Sequence, residues 1–143
     1  MMRVQTQEQR RASSSWDRLR ERFGSDPDQW QQKDRGAAKY LAAVRKTPAR
    51  IHNCGLGPAL AFLRSHNQKD VAGDLSALTL ELLGRTGESD LIAALRDETS
   101  GTFLFTATEE ALAVLPWLMW YLQGYGVRPE EEPDDTATDG QSA

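Results

Sequence analysis

Lys46-Thr-Pro-Ala-Arg50-Ile-His-Asn-Cys-Gly55-Leu-Gly-Pro-Ala-Leu60-Ala-Phe-Leu-Arg-Ser65 decides the fold. Its first half extends an apolar series through Ala37, Tyr40, Leu41 and Val44, the spacing of one buried helical face. Gly55 and Gly57 then permit backbone angles closed to other residues, and Pro58 suits the first turn of a new helix. Leu60, Phe62 and Leu63 make that helix, Ala59 to about His66, strongly apolar, so most of it must be buried. The stretch is a helix–loop–helix joint. Pro48 leaves one point open. A proline removes a backbone donor and restricts the residue before it, so Thr47 marks either a kink or a break, and Ile51 joins the buried face only if the helix continues.

The flanks read as helix too. Ala12, Trp16, Leu19 and Phe23 recur at four, three and four residues and predict a helix from about Gln5 to Phe23, ended by Gly24. Ser25-Asp26-Pro27-Asp28 reads as a turn, with Asp28 or Ser25 capping the next helical segment. Val71, Leu75, Leu78 and Leu82 repeat the pattern and close at Gly84. Ser89 is placed to cap a short helix bearing Leu91, Ile92 and Leu95, closed by Gly101. Thr106-Ala-Thr-Glu109 has capping-box spacing and opens a last helix with Leu112, Leu115, Leu118, Met119 and Leu122, kinked at Pro116 and ending at Gly124 or Gly126. Only Thr102-Phe-Leu-Phe-Thr106 offers a short β candidate. The expectation is an all-α fold: a single compact bundle of five to seven helices over residues 1–127. A disordered acidic tail is expected over 128–143, where no large apolar residue is available to bury.

Composition narrows the function. With 143 residues, 39% hydrophobic and 27% charged, the chain fits one ordinary domain. No apolar run reaches the roughly 18 residues of a membrane span, and the N-terminal segment has no apolar signal region, which predicts a cytoplasmic protein with no membrane partner. One cysteine, Cys54, and two histidines, His52 and His66, exclude an internal disulfide and a zinc set of Cys and His, so no metal and no cofactor are expected. Cys54 reads as a small buried hydrophobe, and the histidines as surface or packing residues. Asp97-Glu98 and Glu109-Glu110 sit at a helix end and a helix start, the second explained by capping. No set supplies nucleophile, base and electrophile together, and no catalytic residue is expected.

Charge is distributed unevenly. Residues 1–50 carry 12 Lys/Arg and 6 Asp/Glu, whereas residues 128–143 carry 1 and 6. Between Asp34 and Asp70 lie seven basic side chains and no acid. On an ideal helix Lys39, Lys46 and Arg50 fall within about 60° of Arg35, opposite Tyr40, Leu41 and Val44. Arg11, Arg18 and Arg22 form a second row, clear of the Trp16 stripe but near Asp17 and Glu21. Such rows suit a phosphate backbone, because each neutralised phosphate releases condensed counterions. The candidate RNA-binding residues are therefore Arg35, Lys39, Arg45, Lys46, Arg50 and Arg64, with Arg18 and Arg22 as second choices. A solvated basic face is the competing reading. The glycines at 55 and 57 fit turn geometry better than anion capture, since no phosphate-cradling motif is present.

Lys46 to Ser65, above all Gly55-Leu-Gly-x-x-Leu60-Ala-Phe-Leu after a basic Lys-x-Pro helix, together with Glu109-Glu-Ala-Leu-Ala-Val-Leu-Pro-Trp117-Leu-Met-Trp-Tyr121, resembles the small helical subunit, the fifth Cmr protein, of type III-B CRISPR effector complexes. The resemblance covers residues 5 to about 125 and carries no catalytic signature. It implies a non-catalytic subunit that stacks along a ribonucleoprotein filament used in antiviral defence. Its implied partners are the backbone and large Cmr subunits, guide and target RNA, and further copies of itself. Cys54 and Pro116 depart from the pattern, as does the acidic tail. Base pairing would supply sequence specificity in such a complex, so phosphate contacts suffice. Two other readings stand beside it. A helix-turn-helix DNA-binding regulator would read bases with Pro58 to Phe62, which offer no hydrogen-bonding side chain, and an independent ribonuclease would need metal-dependent cleavage.

Overall fold

The computed structural model describes residues 5–85, 87–98 and 100–130. Among them are six α-helices and no strand: α1 (Gln7–Phe23), α2 (Ala37–Cys54), α3 (Leu56–Ser65), α4 (Lys69–Leu82), α5 (Leu91–Asp97) and α6 (Gly101–Gly124).

α1 opens with a capping box. Thr6 Oγ1 accepts from Gln9 N at 3.1 Å, and Gln9 Oε1 accepts from Thr6 N at 2.9 Å. Gly24, at φ +112°, ends it in a conformation that side-chain-bearing residues rarely adopt. Asp26, rather than Asp28 or Ser25, caps the 3₁₀ turn Pro27–Gln29 through Asp28 N. That turn delivers Trp30 to full burial, with its Nε1 donating to Gly24 O at 2.8 Å. Trp16, Trp30, Tyr121 and Tyr125 form one cluster with centroids 5.1 to 5.6 Å apart, tying α1 to the end of α6.

α2 passes through Pro48 unbroken, and Thr47 Oγ1 donates to Ala43 O at 2.7 Å one turn back. Ile51 consequently stays on the buried face. Gly55, at φ +95°, is the single residue between α2 and α3. Arg35 belongs to a 3₁₀ turn (Lys33–Arg35) ahead of α2, so it does not share that helix's phase.

Three sequence expectations change at the C-terminal side. Asp90, not Ser89, caps α5 by accepting from Ala93 N. α6 begins at Gly101, so that glycine opens a helix where the sequence predicted a stop, and the β candidate 102–106 is helical. Thr106 lies inside α6, its hydroxyl donating to Thr102 O at 2.8 Å, so the Thr-x-x-Glu spacing there is no cap. α6 packs against α1, α2 and α4, and the core gathers around it from Leu19, Leu41, Leu60, Leu75, Leu115 and Leu118, each at most 1% exposed. Burying each such side chain stabilises the fold by about 1.5–3 kcal/mol.

Two buried carboxylates fasten α1 to this core. Glu110, 5% exposed, accepts from Arg11 Nε at 2.6 Å and Gln7 Nε2 at 2.8 Å. Asp74, 1% exposed, accepts from Arg22 and from Tyr40 Oη at 2.9 Å. The described chain ends by crossing α2, with Val127 buried and Glu130 N donating to Ala38 O at 3.0 Å. Within the predicted tail, Glu130 is thereby tied to the start of α2. The remainder of the predicted tail, 131–143, lies outside the described residues.

Candidate nucleic-acid interface

Because Pro48 leaves α2 continuous, Lys39, Lys46 and Arg50 line up along one face of it. Two hollows border that face where it meets the α3–α4 turn. The first, about 350 Å³, is lined by Arg22, Arg35, Lys39, Asn67, Gln68 and Asp70, among others. The second, about 160 Å³, is lined by Lys46, Arg50, Phe62, His66 and Gln68 with the floor residues Ala43, Thr47 and Leu63. Gln68 lines both, so the two hollows adjoin along α2. Among the described residues their lining contains Arg22, Arg35, Lys39, Lys46 and Arg50 and a single acid, Asp70, which pairs with Arg22 at 3.1 Å. The acid-free interval between Asp34 and Asp70 thus becomes a cationic trough.

The eight sequence candidates divide by what they touch. Lys39 lies exposed at the trough's first hollow, and Lys46 and Arg50 line its second. Arg35 borders the trough but also clamps the fold, with Nη1 donating to Phe23 O and Nη2 to Gln29 Oε1, both at 3.0 Å. Arg45 is exposed and lines neither hollow. Arg64 lies on another side, 4.0 Å from Asp90.

Arg22 and Arg18 both face the buried carboxylate of Asp74. Arg22 is bound to Asp74 and Asp70, and Arg18 stands 3.8 Å from Asp74. The hydrogen bond to Asp74 holds the Arg22 guanidinium protonated well beyond its ordinary range. Arg11, the third member of that row, is held on Glu110 and Glu8.

Three trough residues carried no functional weight in the sequence reading: Phe62, His66 and Gln68. Phe62 of α3 and His66, the residue that follows that helix, are four apart and stack at 3.7 Å between centroids, while Arg50 Cζ lies 3.3 Å from the Phe62 centroid. The four-residue spacing was the available signal. Cys54 is exposed at the end of α2, not buried, and His52 is exposed as well. Among the described residues no group of three or more His, Cys, Asp or Glu could hold a metal ion, and no helix is long and apolar enough to cross a membrane. The exposed side chains early in α3 are Pro58 and Ala61, which cannot read a base edge.

Residues 7–125 match the family model described as CRISPR-associated protein (Cas_Cmr5). The chain belongs to the Cmr5 family. A crystal structure of a CRISPR-associated Cmr5 family protein from Thermus thermophilus is similar to it at a TM-score of 0.62 and 25% identity, covering 85% of this chain and 98% of that one. A comparison with curated proteins gives no match. Membership makes this a Cmr5-type CRISPR-associated subunit of a type III-B complex, and both the α-helical bundle and the partner Cmr proteins expected from the sequence follow from it. The matched region stops before the acidic C-terminal residues.

Proposed function

We propose that this Cmr5 subunit acts in the cytoplasm as a non-catalytic grip on RNA within its CRISPR complex, holding the strand by its phosphates. One observation carries the reading: the uninterrupted α2 aligns Lys39, Lys46 and Arg50 along a trough with Arg35 at its mouth. Each occupied phosphate site releases counterions and adds affinity without sequence preference, which suits a complex whose guide does the reading. The buried acids Asp74 and Glu110 are already bound to arginines, which favours a structural role for them over acid–base chemistry.

The test is Lys39→Glu with Lys46→Glu, two exposed positions on α2 that line the two hollows, in the assembled complex. Target-RNA retention should fall, and the log–log dependence of affinity on salt should flatten by roughly 0.7 for each phosphate no longer neutralised. Unchanged retention and slope in a folded double variant would reject the trough as an RNA site.

A further inference from the structure

The second hollow has features that phosphate binding does not require. Arg50 from α2 lies 3.3 Å over the Phe62 ring, and His66 stacks 3.7 Å from Phe62 at an interplanar angle of 19°. The three planar groups form one short pile. His66 Nδ1 lies 3.0 Å from both Phe62 O and Ser65 Oγ, which leaves Nε2 as the ring's remaining polar atom. Beside the pile, the hollow has an apolar floor from Ala43 and Leu63 and a polar edge from Gln68.

Size and chemistry agree. The hollow measures about 160 Å³, close to the roughly 150 Å³ of an engineered cavity that admits benzene, so its volume suffices for one planar ring. Aromatic and guanidinium faces are the surfaces on which unpaired bases stack, a contact tolerant of sequence because every base has a π-face. A cavity serving only an anion would gain nothing from the Phe62–His66 stack. The neighbouring cations also recur at strand-like spacing: Lys46 and Arg50 are one helical turn, about 6 Å, apart.

We infer that the hollow bordered by Arg50, Phe62 and His66 seats a single unstacked nucleobase of the RNA strand whose phosphates run along α2. Gln68, which can donate and accept, faces the hydrogen-bonding edge of whichever base enters. The inference rests on the phosphate reading above and adds a ring-binding subsite to it. It also gives the subunit a means of fixing the strand's register without reading its sequence.

The experiment compares two polyanions on the full chain: a single-stranded oligouridylate of about ten nucleotides and inorganic polyphosphate of matched length, which has no bases. His66→Ala, at an exposed position, should weaken oligouridylate binding about tenfold and leave polyphosphate binding within about twofold. An oligonucleotide carrying 2-aminopurine should lose fluorescence on binding the parent chain and keep it on binding His66→Ala. Equal losses on both polyanions would overturn the base subsite and leave the phosphate reading standing. Binding of neither polyanion at low salt would overturn both. Phe62→Leu, which removes the ring but keeps an apolar side chain, is the second variant if His66→Ala perturbs α3.

Discussion

Arg22 of α1 closes a two-point hydrogen bond on Asp74 of α4, Nε to Oδ2 at 2.5 Å and Nη2 to Oδ1 at 2.9 Å. The carboxylate is 1% exposed and lies 52 residues away in sequence. A cation that the sequence offered to RNA is thereby the counterion of the protein's own core.

Removing that counterion should unfold the protein more readily than it disturbs RNA binding. Arg22→Met leaves Asp74 with Tyr40 and the more distant Arg18, and a loss of about 2–3 kcal/mol is expected. The denaturant midpoint should fall at constant m value, and Arg22→Met with Asp74→Leu should recover a large part of the loss. If the double variant is no better than the single one, Asp74 is not the reason Arg22 is needed.

Tyr40 makes alkaline stability a second readout of the same cluster. Burial first, and the adjacent Asp74 carboxylate second, push its phenol well above the ordinary value of 10.0. The folded state therefore keeps this proton after the unfolded chain has begun to release it. The contribution is complete below about pH 10 and is lost as pH rises further. Tyr40→Phe should cost about 1 kcal/mol at neutral pH and reduce the decline in stability between about pH 10 and 11. Stability measured across that range in both proteins gives the comparison.

Two buried threonines should respond in opposite directions. Thr47 Oγ1 bonds Ala43 O, whereas Thr79 Oγ1 is buried with no hydrogen-bond partner among the described residues. Thr47→Val should cost about 1 kcal/mol, and Thr79→Val should be neutral or stabilising by up to about 1 kcal/mol. Thermal denaturation of the two variants distinguishes them, and equal losses would contradict the assignment.

Which elements were legible follows from the range of the forces involved. Leu19 and Phe23 sit on a stripe that a single helix displays in sequence, and Gly24 stops that helix by local backbone sterics. Trp30 was not legible: it lies among polar turn residues with no periodic neighbour, and only the folded partners Trp16 and Tyr125 make it a core residue. Thr106 misled because an interior threonine bonding back to the Thr102 carbonyl shares its spacing with a true cap. In the trough, Lys39, Lys46 and Arg50 were visible as a helical row once α2 was assumed continuous. Arg18 and Arg22 looked equivalent to them because the acid that holds both is supplied by a distant helix.

The hydrogen bond from Glu130 to the Ala38 carbonyl has a practical corollary for handling this molecule. It moors the carboxyl-terminal extension one residue from Lys39, at the mouth of the trough. A purification handle or fluorophore joined after Ala143 would be leashed by 13 residues to the surface proposed to receive RNA, so reporters belong at the amino end.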